Sequence, residues 1–554
     1  PVEAKLVTIW RELLDLDQVG INDDLFELGG HSLMATILGA RIAKEFNIEI
    51  PLGAIFRLRT IRGMSGYIAA HTKSGYEEIP RADAKEYYEA SPAQKRMYLA
   101  QEFDKTSIAY NVPEAIEVKD GLELDRVREC LVKLLKRHEP LRTGFQTVNG
   151  LIVQKIQRFE EIDFTMEKRA VPDEAAVPEC IRTFVRPFDL SVAPLFRVGI
   201  ITVAEDRRIM LFDLHHIIAD GVSLATLTWE FGELYSGREL PPLRIQYKDY
   251  SEWQKRRVKA EQLQEEYWFS VFRDKAPMLD LPLDHPRPAV RSFAGNYLEF
   301  GIGTGLTGKL NELTKKTGTT LYMVLLAALN ILLSKYSGQD DIIVGSPVAG
   351  REHSDVEKML GVFINTLAMR NRPQGAKTFN VFLNEVRENT LRALENQSYP
   401  FDALVDRLNL KRDMSRNPLF DVMFVMQNTG RGRETELDRK FTPYFFEHKI
   451  AKFDILLDAR ELAGEICCRV EYCVELFQKP TIEKMVQNFW KILEIITGDR
   501  EIKIRNIGIL DSGEAENVKL KLKQALGEIE NQFDSLNLED APDSGNDGDA
   551  SERG

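Results

Sequence analysis

The sequence predicts a multidomain protein, with a small all-α unit ahead of a large α/β unit. Three observations predict it. Apolar residues recur at helical spacing through residues 1–72, with no strand-like alternation. Strand-like and helix-like segments alternate from residue 91 to about residue 500, the pattern of an α/β fold. After Leu538 almost no apolar residue remains, so the last stretch lacks the means to build a core and is expected to be disordered. The length of 554 residues fits two to four domains, on a prior of roughly 150 residues each.

The elements follow in order. "VEAKLVTIWRELLDLD" places Leu6, Ile9, Trp10, Leu13 and Leu14 on one helical stripe. "INDDLFELGGHS" reads as a loop. Residues 33–46 are helical again, with Leu33, Met34, Ile37 and Leu38 on one face, and "PLGAIFRLRTIRGMSGYIAAH" adds one or two shorter helices. Residues 73–87 are polar and poor in periodicity, as in a linker. Within the large unit, residues 209–214 are almost continuously apolar, as in a buried strand, and Leu224, Leu227, Phe231 and Leu234 then form a helical stripe. Residues 501–554 are expected to hold a C-terminal helix, "VKLKLKQALGEIENQF", and the acidic tail.

Composition narrows the class. Apolar residues at 44% and charged residues at 29% are ordinary for a globular protein. A net charge of −13 argues against nucleic acid as the main partner, since phosphate binding needs a basic face. No apolar run is long enough to span a bilayer, and no signal peptide is visible. The start at Pro1 suggests a piece of a longer chain. Cys130, Cys180, Cys467, Cys468 and Cys473 show no CxxC pair and no zinc spacing, so structural thiols in a reducing cytoplasm are expected, with no metal site.

Two short stretches carry chemistry. In "LFELGGHSLMATILGARI", Ser32 stands at a helix start behind Gly29 and Gly30. It either caps a helix beginning at Leu33 or offers a hydroxyl for a phosphate ester beside a positive helix end. In "RRIMLFDLHHIIADGVSLATLTWEFGELYSG", His215, His216 and Asp220 fall on a strand-to-helix connection, where Gly221 would permit a sharp turn. Adjacent residues of a strand point to opposite faces, so one histidine can face a cavity while the other packs inside. Imidazole suits proton handling near neutral pH. Asp220 is either a base or a residue that fixes the loop. A purely structural histidine pair and a metal site are the alternatives. His138, in "RHEPLRTGF", reads as packing.

"DDLFELGGHSLMA" resembles the motif of peptidyl carrier (thiolation) domains, small four-helix bundles whose motif serine bears 4′-phosphopantetheine. The resemblance covers residues 1–72 and makes Ser32 the attachment site. "HHIIADG" resembles the HHxxxDG motif of nonribosomal peptide synthetase condensation domains. "SPAQKRMYLAQ", "RHEPLRTGF", "YKDYSEWQ", "GSPVAGREHSDVEKMLGVFINTLAMR", "NQSYPFDAL" and "RDMSRNPLFDVMF" continue in that family's order. The resemblance implies two chloramphenicol-acetyltransferase-like lobes, expected at 88–265 and 266–500, with a tunnel between them. It implies His216 as the key catalytic residue and His215 as structural. Asp220 would pair with an arginine, for which Arg351 is the candidate, and N–H groups near Gly221 would be oxyanion donors.

Epimerase domains share the histidine motif. They usually carry a tryptophan where this chain has Leu224, and their carriers commonly read GGDS rather than "GGHS". A heterocyclisation domain would replace the histidines with aspartates, and a silent recruitment domain would show a degraded motif. Peptide-bond formation is therefore the expected activity. No adenylation signature is present. The implied partners are an upstream adenylation domain, a phosphopantetheinyl transferase and a downstream acceptor carrier. The tail is either a solvated end or a docking peptide for the next synthetase chain.

Overall fold

The computed structural model describes residues 2–71, 76–118, 123–204, 207–256, 258–410, 413–427, 441–446 and 449–509. Four helices form the N-terminal unit: α1 (Val2–Leu14), α2 (Ser32–Phe46), α3 (Leu52–Leu58) and α4 (Ile61–Ala70). The stripe of α1 buries Leu6 and Trp10 completely, in one cluster with Leu38 and Ile42 of α2 and Ile61 and Met64 of α4. The loop before α2 is fixed by Asp24. Its carboxylate accepts the Phe26 N–H at 2.8 Å and meets Arg59 Nε at 2.5 Å.

The segment expected to be a plain linker is tied down. The Tyr76 hydroxyl bonds Ser354 Oγ at 2.6 Å, the Ile79 N–H donates to Asp355 at 3.0 Å, and the Ala82 N–H donates to Asp249 at 2.7 Å. Ile79 is fully buried. Periodicity misses such a segment because its partners lie more than a hundred residues away.

The first lobe holds a five-stranded sheet. Its order is β12 (Phe441–Pro443), β2 (Asn111–Val118), β7 (Arg207–His215), β6 (Phe196–Val203) and β5 (Met166–Val171). A smaller sheet joins β1 (Tyr88–Glu89), β4 (Leu151–Ile156) and β3 (Thr143–Val148). Around them lie α5 (Pro92–Phe103), α6 (Leu124–Arg137), α7 (Val177–Phe184), α8 (Gly221–Tyr235), α9 (Tyr247–Gln254) and α10 (Val258–Val271). The second lobe has six strands in the order β10 (Asn365–Asn371), β9 (Ile342–Val348), β11 (Val422–Gln427), β13 (Ile455–Leu462), β14 (Glu465–Cys473) and β8 (Gly295–Gly301). Its helices are α11 (Thr304–Thr317), α12 (Leu321–Ser337), α13 (Phe379–Glu395), α14 (Phe401–Arg407) and α15 (Lys479–Gly498). Helix α12 is apolar almost all round and nearly all buried, the signature of a core helix. Among the described residues no single helix is long and apolar enough to cross a membrane.

Two features cross the lobe division expected at residue 265. Strand β12 comes from the second half of the chain and pairs antiparallel with β2, Phe441 opposite Val118. The connection from β9 to β10 also reaches over: Val356, Met359, Leu360, Val362 and Phe363 are buried in the first lobe's core. The division at residue 500 shifts as well, because Ile504 and Ile507 are buried with the second lobe. The expected C-terminal helix and acidic tail lie outside the described residues.

Gly361 shows how tightly the crossing connection is seated. Its φ is +153°, and an added Cβ would lie 1.9 Å from Cδ2 of the fully buried Tyr247 ring. The Tyr247 hydroxyl donates to the Val362 carbonyl at 2.5 Å. Gly361→Ala must push these elements apart. A loss of about 1–3 kcal/mol is expected, measured as an earlier denaturant midpoint.

Candidate active site

Strand β7 positions the histidines. It runs between β2 and β6, so both its edges are paired, and Ile209 and Leu211 are buried. The strand ends at His215, whose N–H donates to the Leu195 carbonyl at 2.9 Å. The His216 N–H donates to the Tyr110 carbonyl at 2.8 Å, and a turn follows, closed by the Ile218 N–H on the His215 carbonyl at 3.1 Å. The chain then enters α8 through Asp220, its N-cap.

The Asp220 carboxylate is 1% exposed and takes donors on both oxygens. Oδ1 accepts the Ser223 N–H at 2.8 Å, the Ser223 hydroxyl at 2.8 Å and Arg351 Nη2 at 2.8 Å. Oδ2 accepts the Phe363 N–H at 3.1 Å. This aspartate is therefore engaged as a framework group. Arg351 is equally buried. Its Nη1 donates to the carbonyls of Val356 at 2.5 Å and Met359 at 2.8 Å, and its guanidinium lies 4.1 Å from the Phe363 ring centroid. Ser223 ties in further: its hydroxyl oxygen accepts from Arg351 Nη2 at 3.0 Å and from the Gly361 N–H at 3.1 Å. Sequence reasoning passed over Ser223, although an Asp-x-x-Ser spacing at a helix start was the available signal.

The two histidines have different surroundings. His215 Nδ1 accepts the Ile217 N–H at 3.1 Å, so its proton sits on Nε2, which faces Gln101 Oε1 at 3.4 Å. Burial, with the charges of His216 and Lys452 added, lowers its pKa to about 3. His216 also lies deep, and burial followed by the Lys452 charge lowers its pKa to about 4. Yet the residue is only partly buried and keeps some accessible surface. Its Nδ1 closes no hydrogen bond, and the backbone groups of His216 and Ala219 act against the lowering.

The sharp turn expected at Gly221 falls before it: the chain turns at residues 216–218, and Gly221 is the first residue of α8 with an ordinary negative φ. An added Cβ would meet nothing within 4 Å, so the glycine leaves open space at the helix start. Ser32 does not cap α2. His31 is the cap, its Nδ1 accepting the Met34 N–H at 3.4 Å, and Ser32 is the first helical residue. No described residue hydrogen-bonds its hydroxyl. Gly29 before it has φ +95° and open space at its Cβ position. A half-exposed, unengaged hydroxyl beside an open turn suits a covalently attached phosphate ester.

The remaining candidate, His138, is buried and bound by Glu230 of α8 at 2.5 Å. Helix α2 rests on the crossing connection: Arg41 makes a two-pronged pair with Glu357, at 2.5 and 3.0 Å, and Lys44 reaches Asp355 at 3.1 Å. A separate cleft of about 890 Å³, counted with its open mouth, includes Arg96, Trp253, Gln264 and Asp402. It shares Val362 and Phe363 with that connection but does not include His216.

Residues 84–518 match the family model described as Condensation domain. The chain belongs to the condensation-domain family. Residues 4–68 match a second model, Phosphopantetheine attachment site, so the α1–α4 bundle is the carrier domain. Gramicidin S synthase 2 of Brevibacillus brevis is 45% identical over 524 residues, 94% of this chain and 12% of that protein. Bacitracin synthase 2 of Bacillus licheniformis is 44% identical over 518 residues, 93% of this chain and 20% of that protein. The chain thus spans a fifth or less of these two relatives. Among solved structures, the X-domain in complex with OxyB from teicoplanin biosynthesis superposes with a TM-score of 0.72 at 21% identity, covering 79% of this chain and 99% of that one. That likeness concerns the fold. The chain is a carrier domain followed by a two-lobed condensation domain of a nonribosomal peptide synthetase.

Two outcomes follow. Asp220→Ala strands the Arg351 charge in the interior and should cost about 3–5 kcal/mol, seen in chemical denaturation. The histidines set a pH dependence. In the unfolded chain a histidine titrates near 6.5, whereas folded His215 and His216 titrate near 3 and 4. The unfolded state therefore takes up protons first. The stabilisation is complete above pH 6.5 and is lost as the pH falls towards 4. Replacing His215 with Asn should flatten the fall of the denaturation midpoint between pH 6.5 and 4.5.

Proposed function

We propose that the condensation domain forms an amide bond by attack of an acceptor α-amine on a donor acyl thioester. The observation that carries this reading is His216: an imidazole that burial keeps neutral, partly accessible at the end of β7, whose Nδ1 closes no hydrogen bond. The amine nitrogen bonds to the carbonyl carbon and the carbon–sulfur bond breaks. His216 Nε2 orients the amine or accepts its proton, which passes on to the departing thiolate. Asp220, Arg351 and Ser223 hold the turn that aims His216, and His215 packs behind it. The N–H groups of Gly221 and Val222 have no acceptor among the described residues and are available to the developing oxyanion.

The hydroxyl of Ser32 is the proposed attachment point for 4′-phosphopantetheine, which supplies the thiol that carries the acyl group. Such an arrangement needs a phosphopantetheinyl transferase, an adenylation domain to supply the donor and a separate carrier to bring the acceptor. "GVFINTLAMR", Leu224 and "GGHS" favour condensation over epimerisation.

The test loads Ser32 from an acyl coenzyme A with a broad phosphopantetheinyl transferase, then adds an aminoacylated carrier. Mass spectrometry should find the amide on the added carrier. Ser32→Ala should take up no pantetheine mass. His216→Ala should load normally, melt within a degree or two of the parent and lose about 10²–10⁴-fold in rate. Inversion of the donor's α-carbon without amide formation would establish the epimerase reading instead. Parental rates in His216→Ala would remove His216 from the mechanism.

A further inference from the structure

The carrier domain touches, from outside, the segment that Arg351 grips from inside. Residues 354–356 form a single 3₁₀ turn, whose own hydrogen bonds are few and poorly aligned. Side-chain partners hold it instead. Ser354 bonds the Tyr76 hydroxyl, and Asp355 accepts the Ile79 N–H, both from the stretch that follows the carrier. Arg244 of the first lobe also reaches Asp355, and Lys44 of α2 meets it at 3.1 Å. Next in the chain, Glu357 receives Arg41 of α2 on both oxygens, through Nε at 3.0 Å and Nη2 at 2.5 Å. The pair is largely shielded, with side-chain exposures of 20% and 18%. Arg41 is backed in turn by Glu12 of α1, 3.5 Å from its Nη1.

Glu357 works in two directions. Its side chain meets the carrier, and its carbonyl accepts from Arg351 Nη1 at 3.4 Å. The neighbouring carbonyls of Val356 and Met359 accept from the same nitrogen. The other terminal nitrogen of that guanidinium holds Asp220 and Ser223. Asp220 then closes on the far end of the connection: its N–H donates to the Gly361 carbonyl at 3.2 Å, and its carboxylate accepts the Phe363 N–H. Glu357 and Arg351 are thus the steps between Arg41 and the aspartate that caps α8. A fully buried guanidinium cannot turn to water for a lost acceptor, so a shift of the backbone at 356–359 is passed on to its carboxylate partner.

We infer that Arg41 of the carrier is a positioning residue for the condensation domain: its pair with Glu357 tightens residues 351–363 and, through Arg351 and Asp220, the turn that aims His216. Docked, α2 closes the outer face of the connection. Released, it leaves Glu357 to water and the 3₁₀ turn with fewer ties. Coupling of this kind is reciprocal, so order at the turn also favours the docked carrier. The inference rests on these contacts and holds whichever reaction His216 serves.

The experiment uses the whole chain. Release of the carrier is read from the Trp10 indole resonance, assigned by its loss in Trp10→Phe, which sharpens when the small bundle tumbles alone. Amide hydrogen exchange, followed by mass spectrometry of peptides, reports the order of the turn. Arg41→Glu should release the carrier and speed exchange in residues 216–224 and 351–363 about fivefold or more, while residues 209–212 of β7 keep the parental rate. Arg41→Glu combined with Glu357→Arg should restore both readings, which a general loss of stability would not allow. With the donor offered as a small free acyl thioester, which needs no carrier to bring it, Arg41→Glu should lower the condensation rate about fivefold and the combined variant should recover it. If Arg41→Glu leaves the Trp10 resonance broad, Lys44→Glu is added, and a carrier that still stays docked overturns the inference. So does a released carrier with parental exchange in 216–224, and so does faster exchange that extends to 209–212. A chain that forms no amide bond yet shows the coupled exchange retains the inference and loses the proposed function.

Discussion

The buried pair between Asp220 and Arg351 is the interaction on which the rest depends. The two residues lie 131 positions apart, one at the head of α8 in the first lobe and the other on the connection out of the second lobe's β9. Buried ion pairs are poor stabilisers, since desolvation consumes most of their attraction. This one is supported by donors and acceptors on both sides. The aspartate receives two backbone N–H groups and a hydroxyl besides the arginine. The arginine gives its other nitrogen to backbone carbonyls. The outcome is positional: the connection is held against the first lobe, and the turn carrying His216 is held with it. Residues 351–363 therefore serve both lobes at once.

Depth and access are separate properties here, and the site uses both. His215 is sealed inside and its ring nitrogens are engaged, so it contributes shape. His216 is one residue further on, past the end of the strand, and stays partly accessible. The same burial that lowers both pKa values strengthens any charge brought near them.

Much of this was legible in the sequence, and what was hidden has a common cause. Local signals read correctly: the stripe of Leu6 and Trp10, the apolar run of β7, and the serine at the start of α2. The cap of α2 stayed open in the sequence because histidine is not among the usual N-cap residues, whereas Ser32 next to it is. Gly221 marked the strand-to-helix connection, but the turn lies at residues 216–218 and the glycine begins the helix. Arg351 was nominated only through a family resemblance, since no periodic pattern links it to Asp220. Strand β12 and the tied segment from Tyr76 to Ala82 were hidden for the same reason. Their partners are remote in the chain.

The pair between Arg41 and Glu357 bears on where such a protein can be cut and rejoined. Chemically, the boundary between the carrier and the condensation domain is the short stretch of chain that links them. Energetically, it runs between α2 and the connection that holds Arg351. A chimera joined in that stretch with a foreign carrier would keep its covalent continuity and change the residue opposite Glu357. Asp355 would still have Arg244, but among the described residues Glu357 has Arg41 alone. The exchangeable unit is therefore set by this contact as well as by the linker, and a carrier that presents a cation at the position of Arg41 is the graft most compatible with it.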